Sequence, residues 1–455
     1  MSTISEQLAD WVVSTGYGDI PAEIVNIARR NILDLIGVTL AGSKEPGAPI
    51  VKRYLEEVGG PQQCTVIGLP TRTSCMEAAF ANGVLGHLLD YDDLVIPVVG
   101  AGGPHITVAI LPAALAVAEK GKKNGSRVIE SYILGCEIAY RIGLAVDPTH
   151  YNSGWHSTGT EGIFGAAVAA CKLMDATREE IAHTLGIVSS EASGLRENFG
   201  TMTKPFHAGQ ACAKGIKAAL LAKLGFTSAM TIFEGTNGFC NVMSKDPKPG
   251  NITSDLGEFL CMPKIRLKLY PCCAASHSTI YATMALVNEH DIPPGDVASI
   301  TVTCDPQVTK ALIYEHPVTA LEGKFSAQFP IALVLSEKKV ILEQFTDEKI
   351  KEPEIVALMQ KVKVIPDPEL KAKSVHNRAA IVEIALKNGT KVSKRCDYPP
   401  GTPLNPISDE DIMAKYRDCA GQVLTGEKTE ESIKTIMNLE LIDDVAKLIQ
   451  PLAGN

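Results

Sequence analysis

No apolar run in the chain reaches the roughly 18 residues that a membrane-spanning helix needs. The longest, Ile106 to Ala118, is shorter and contains Pro112, so no membrane partner is expected. The amino terminus, Met1 to Asp10, lacks a basic stretch followed by an apolar one. No secretory signal is therefore expected, and the expected location is cytoplasmic. Basic residues are outnumbered, 43 Lys and Arg against 52 Asp and Glu, for a net charge of −9. Scattered acidic charge repels phosphate backbones and argues against nucleic acid as a partner, although local cations can still build a buried anion site. Metal-ligand spacings such as Cys-x-x-Cys or His-x-x-x-His are missing, and the only closely spaced cysteines, Cys272 and Cys273, are adjacent and poorly placed to clamp one ion. Neither a metal nor an organic cofactor is expected. The twelve cysteines, without a secretory signal, are expected to be reduced and buried.

What is present is a globular composition, 45% hydrophobic and 21% charged, over 455 residues. That length exceeds one ordinary core and predicts two domains. Pro21 opens a segment whose apolar residues Ile24, Ala28, Ile32 and Leu35 recur at helical steps. Similar spacing predicts helices over 76–89, 107–119, 127–142, 160–173 and 212–224. Ala- and Gly-rich segments such as Gly162 to Cys171 predict a bundle whose central helices approach closely and are buried all round. After about Met262 the texture changes. Val297 to Cys304 alternates and is β-branched, and Ala380 to Lys387, Asn388-Gly389 and Thr390 to Lys394 read as a hairpin. A helix is expected from Phe325 to Glu337, and Ser408-Asp-Glu-Asp is expected to cap another. The expected fold is mainly α: a large all-helical domain from 1–262 and 401–455, and a smaller α+β domain from 263–400.

Five clusters carry residues suited to chemistry, and each has a plainer reading. His87-Leu-Leu-Asp90-Tyr-Asp92-Asp93 gathers three carboxylates at a helix end, which raises a carboxylate pKa or recruits a cation, or else forms a solvated cap. His105 follows a Gly-rich loop at a helix start, where backbone N–H groups favour an anion, or it is a capping histidine. His156 lies in a Gly-flanked turn, where small residues bring it close to a cavity or where it is structural. Thr203, Lys204 and His207 lie around Pro205, and Lys204 is poorly explained by solvation. There Lys204 can offer fixed positive charge to a carboxylate, with His207 orienting it. Lys268, Cys273 and His277 flank the change of texture, and the cysteines read more readily as buried filler than as nucleophiles.

In combination, His87-x-x-Asp90-Tyr-Asp-Asp, Gly154-Trp-His156, Gly200-Thr-Met-Thr-Lys204-Pro-x-His207 and Lys268-x-Tyr-Pro-Cys-Cys resemble the MmgE/PrpD family over nearly the whole chain. The resemblance implies a helical domain from both chain ends, an α+β lid between them, a homodimer and an active site between the domains. It implies a cofactor-independent lyase that takes a proton from beside a carboxylate, first of all a dehydratase of a 2-methylcitrate- or aconitate-like acid. A decarboxylase or an epimerase is the alternative. The functional positions it implies are Asp90, His105, His156, Lys204 and Lys268, with Thr203, His207, Cys273, His277 and Tyr314 binding the small carboxylate substrate. One departure stands out: between Asp93 and His105 many members carry a polar loop, whereas this chain reads Leu-Val-Ile-Pro-Val-Val-Gly-Ala-Gly-Gly-Pro. That removes hydrogen-bonding groups that a third carboxylate needs. It also lends support to another class of reading, a non-catalytic binder of small anions on the same fold. Binding alone, however, needs cations and not paired imidazoles.

Overall fold

The structure is a computed structural model that describes residues 2–371 and 379–454. It is mainly helical and consists of two units, the first comprising Met1–Glu197, Met202–Leu267 and Ser408–Asn455, the second Asn198–Thr201 and Lys268–Ile407. Among the described residues no helix is long and apolar enough to cross a membrane.

In the first unit the helix Ala22–Gly42 follows Pro21, and the predicted stripe Ile24, Ala28, Ile32 and Leu35 is buried. At the centre, every residue of the helix Gly162–Leu173 is buried. Small residues make this packing possible. A Cβ on Gly135 would lie 2.6 Å from the Gly165 carbonyl oxygen, and one on Gly83 would lie 2.8 Å from the Gly209 Cα. The second contact joins the helices Cys75–His87 and Thr203–Lys223, so backbone touching backbone fixes the two elements that deliver His87 and Lys204.

Two sequence-predicted boundaries are corrected here. The helix expected to begin at Cys212 begins at Thr203, placing Lys204 and His207 on helix rather than loop. Pro205 permits this because N–H groups in a helix's first turn have no intrahelical acceptor, so a proline there sacrifices no bond. The helix expected over 160–173 is broken, with a single turn Ser157–Thr160 and then a restart at Gly162. Near the end of the chain Ser408 and Asp411 form a reciprocal cap on Asp409–Ala420, as the Ser-Asp-Glu-Asp run predicts. Lys415 of that helix pairs with Asp34 at 2.7 Å and donates to the Tyr91 carbonyl at 2.8 Å, anchoring the acidic loop after His87.

The second unit holds a four-stranded sheet in the order Val362–Pro366, Val297–Cys304, Ala380–Leu386, Lys391–Cys396. The first pair is parallel and the others antiparallel. Gly389 takes a φ of 88° in the predicted Asn-Gly turn, a conformation glycine adopts without Cβ strain. Ile300, Val302, Val382 and Ile384 point into a core shared with the helices His277–His290 and Gln328–Glu337. The latter helix starts three residues after the predicted Phe325 because the Ser326 hydroxyl accepts from the N–H groups of Gln328 and Phe329, at 3.1 and 3.3 Å.

Candidate active site

The acidic run after His87 is buried, which corrects the solvated-cap reading. Asp90, Asp92 and Asp93 are 3%, 0% and 1% exposed. Asp90 adopts a left-handed φ of 50°, which turns the chain back beside the helix end. The three carboxylates then diverge in use. Asp93 caps the next helix, Ile106–Gly121: its carboxylate accepts from the Thr107 N–H at 3.2 Å and from the Thr107 hydroxyl. Burial pushes the Asp93 carboxyl up to about 7, against the pull of the Thr107 bonds and helped by the charge of Asp92.

A raised carboxyl contributes stability that is complete below its unfolded pKa, about 3.9, and is lost as pH climbs through the folded value. Asp93→Asn removes that titration and keeps the acceptor for Thr107. The expected outcome is that wild type and variant melt alike near pH 4, and that the variant gains on the wild type between pH 5 and 8. The limit is on the order of 4 kcal/mol. A gap in melting temperature that stays constant across that range would show Asp93 to be ionised throughout.

Asp92 is shared by two imidazoles. His87 Nδ1 lies 2.9 Å from both Asp92 oxygens, and His105 Nδ1 lies 3.1 Å from Asp92 Oδ2. Burial alone would raise Asp92, but the two imidazoles outweigh it and hold the carboxyl well below its usual range. His87 is pushed down by burial, so a neutral ring donates Nδ1–H to the carboxylate, and its buried Nε2 has no hydrogen-bond partner among the described residues. His105, at the N-cap of its helix, donates its backbone N–H to Thr158 Oγ1 at 3.0 Å, and its Nε2 lies 3.5 Å from Asp90 Oδ1. The Lys204 ammonium is paired with Asp90. On the other side, His156 Nδ1 meets His207 Nδ1 at 2.9 Å. Burial, then the charge of Lys204, drives His156 well below the ordinary imidazole value, and burial brings His207 down to about 4. The rings of His87 and His105 are 4.4 Å apart, those of His87 and His156 6.1 Å, and those of His105 and His156 6.4 Å. Five of the sequence-selected side chains of this unit, Asp90, His105, His156, Lys204 and His207, thus stand in one cluster.

The linear chain shows no metal-ligand spacing, yet the fold gathers donors of His87, Asp90, Asp92 and His105 within 4.8 Å of one another. These are residue types that can hold a cation. Their charges are engaged already, Asp90 by Lys204 and Asp92 by two imidazoles. An ion would have to displace the ammonium.

His87 and Asp92 are the members that sequence reasoning left out of the site. Their spacing of five residues across a helix end carries no periodic signal, and only the turn at Asp90 brings them together. Thr203 stands exposed at the first position of its helix. In the second unit Lys268 is buried, at 1% exposure. Cys273 is half-buried and its N–H donates to the Lys324 carbonyl at 2.9 Å. His277 Nε2 lies 3.3 Å from the Cys272 carbonyl oxygen, and the Tyr314 hydroxyl donates to the Phe199 carbonyl at 3.2 Å. All twelve cysteines are free thiols, eleven of them buried. In the departing loop, Leu94, Val95 and Ile96 are buried, and Leu94 forms an antiparallel bridge with Arg266.

Comparison with known proteins agrees with the motifs. Residues 6–251 match the MmgE/PrpD N-terminal domain, and residues 270–441 match the MmgE/PrpD C-terminal domain. Cis-aconitate decarboxylase of Aspergillus terreus is 26% identical over 471 residues, covering 99% of this chain and 96% of its own. The Homo sapiens cis-aconitate decarboxylase is 26% identical over 465 residues, covering 100% and 95%. A mitochondrial 2-methylcitrate dehydratase of Yarrowia lipolytica is 23% identical over 424 residues, covering 88% and 80%. These relatives are enzymes with related reactions, and the chain belongs to the MmgE/PrpD family.

Proposed function

We propose that the chain is a lyase that moves a proton beside a carboxylate of a small polycarboxylic acid, with dehydration or hydration of a 2-methylcitrate- or aconitate-like acid as the first reading. The observation that carries it is the buried array of neutral imidazoles facing an ammonium–carboxylate pair. A neutral His156 at physiological pH is a base. Its contact with His207 through Nδ1 lets one ring pass a proton to the other, so the opposite nitrogen alternates between accepting and offering. His105 faces a carboxylate from each ring nitrogen, which places it to serve as the acid for a departing hydroxyl. The Lys204 ammonium is the fixed charge that stabilises the carbanion-like intermediate.

Decarboxylation is the second reading, favoured by the cis-aconitate decarboxylases among the relatives. Both reactions share the stabilised carbanion, and they part at the group that leaves. Incubation with citrate, 2-methylcitrate, aconitate and succinate analogues in deuterated buffer separates them. Alkene absorbance marks dehydration, carbon dioxide marks decarboxylation, and deuterium uptake without net product marks epimerisation. Binding with no exchange of any kind would make the chain an anion-binding protein and end the enzyme reading. The site fails if His105→Gln, His156→Gln and Lys204→Ala all leave turnover unchanged. Lys268→Ala tests the contribution that sequence assigns to that lysine.

A further inference from the structure

The proposed chemistry leaves His87 without a task. It is the last residue of the helix Cys75–His87, and Asp92 follows beyond the turn at Asp90. The side chain of His105 is 11% exposed, whereas those of Asp92 and His87 are 0% exposed, so of the three only His105 has surface to offer a substrate. The contacts run inward in the same order. His87 Nδ1 lies 2.9 Å from each oxygen of Asp92. A carboxylate only accepts, so the N–H donates between the two oxygens and fixes the plane of the group. Asp92 Oδ2 in turn lies 3.1 Å from His105 Nδ1, where negative charge favours a proton on that nitrogen. Packing holds this frame: a Cβ on Gly86 would lie 2.9 Å from Val108 Cγ2, so the helix that ends at His87 presses on the helix that starts after His105. The other nitrogen of His87 is idle. Nε2 is buried with no hydrogen-bond partner among the described residues, which costs stability. An apolar side chain would avoid that cost but could not donate to Asp92.

We infer that His87 is a positioning residue: through Nδ1–H it holds Asp92 in place as a carboxylate, and Asp92 keeps the proton of His105 on Nδ1. A proton fixed on Nδ1 leaves Nε2 as the nitrogen at which His105 gains and gives up the proton it transfers. No bond is made or broken at His87, whose own proton stays on Nδ1. The inference rests on the reading of His105 as the acid for a departing hydroxyl, and it adds the two buried groups behind that acid.

The test is NMR of the full chain with isotope-labelled histidine nitrogens, the His105 signals being identified by their loss in His105→Gln. Nitrogen shifts report which ring nitrogen carries a proton. His87→Asn puts an amide N–H where Nδ1 stood and removes the idle Nε2, so His105 is expected to keep its Nδ1 proton as in wild type. His87→Leu has no donor, and the His105 Nδ1 shift is expected to move toward that of a bare nitrogen. Both variants lack the imidazole ring, so a difference between them reports the donor alone. His87→Gln, whose amide reaches the Nε2 position and not that of Nδ1, should behave as His87→Leu does and carries the test if that variant folds poorly. Turnover of cis-aconitate or 2-methylcitrate is expected to divide in the same way. In His87→Leu kcat falls by about ten- to a hundredfold with KM little changed, the range seen for outer partners of positioned groups, and His87→Asn recovers most of it. His105 nitrogen shifts that stay in place in both His87→Leu and His87→Gln overturn the inference whatever the activity. So does a His87→Asn as inactive as His87→Leu with His105 unmoved, which would make Nε2 the working atom. Shifts that move as expected in a chain that turns over neither acid uphold the orientation by His87 and count instead against the lyase reading.

Discussion

Lys204→Met is expected to lower kcat/KM by on the order of a thousandfold, and to destabilise the fold by about 3–5 kcal/mol. The two effects have different causes. Lys204 and Asp90 are each 3% exposed and paired with one another, so removing the ammonium takes a compensating charge away from a buried carboxylate. That loss reads out in thermal or denaturant melting. The kinetic loss comes from a charge that does more for the intermediate than for the substrate, because negative charge concentrates next to it only as the proton leaves. The double variant Lys204→Met, Asp90→Asn separates them. It removes both members of the pair, so stability is expected to recover most of its loss while activity stays low. Recovery of both together would reduce Lys204 to a structural partner of Asp90. Lys204→Arg is not expected to rescue, since a planar guanidinium does not fit where a compact ammonium meets one carboxylate oxygen. The same variant should expose the latent donor set: with the ammonium gone, His87, Asp90, Asp92 and His105 keep their positions within 4.8 Å, and Lys204→Met is expected to gain affinity for zinc over wild type.

Residues whose role is local were the legible ones. The alternation of Val297–Cys304, the Asn388-Gly389 turn and the Ser408 cap each follow from neighbours in sequence, and all three are found where their patterns place them. Helix starts were harder, because a proline in the first turn and a proline that breaks a helix look alike in sequence; Pro205 is the former. Within the site, histidines and a lysine beside glycine drew attention because solvation does not explain them. The acidic run is legible only in part, through Asp90. Charged residues in series are usually solvated, and nothing local reveals that a left-handed Asp90 and a lysine 324 residues from Tyr91 fold that run inward. His87 was passed over for the same reason, since its importance rests on Asp92 and on the His105 ring, which the fold supplies. The division of labour among the three aspartates has no sequence signature at all. One caps a helix, one is shared by two imidazoles and one faces an ammonium, and only their different partners set them apart.

His156→Gln is expected to reduce kcat by about a hundredfold to ten-thousandfold, the range lost with a positioned acid or base. Glutamine fills similar space and can still bond to His207, so a fold defect is not the expected cause, and melting should change little by comparison. The pH profile is the sharper readout. Burial and the Lys204 charge keep His156 neutral well below the ordinary imidazole value, so the acid limb of kcat/KM in wild type should fall well below the roughly 6.5 of a free imidazole. His207 contributes to that depression, its own ring being held down to about 4. Replacing it by glutamine takes away one repulsive partner, so His156 should protonate more readily and the acid limb should move toward higher pH, with a smaller loss of kcat at the plateau than His156→Gln causes. A merely structural His207 would lower stability and leave the limb in place. Native-state linkage runs in the same sense: a histidine held neutral contributes stability above its unfolded pKa and loses it as pH falls toward the folded value. Part of the acid sensitivity of the whole fold should therefore disappear with His207. An acid limb that stays near 6.5 in wild type would mean that the base is an ordinary solvated imidazole, and His156, buried and paired as it is, could not be that group.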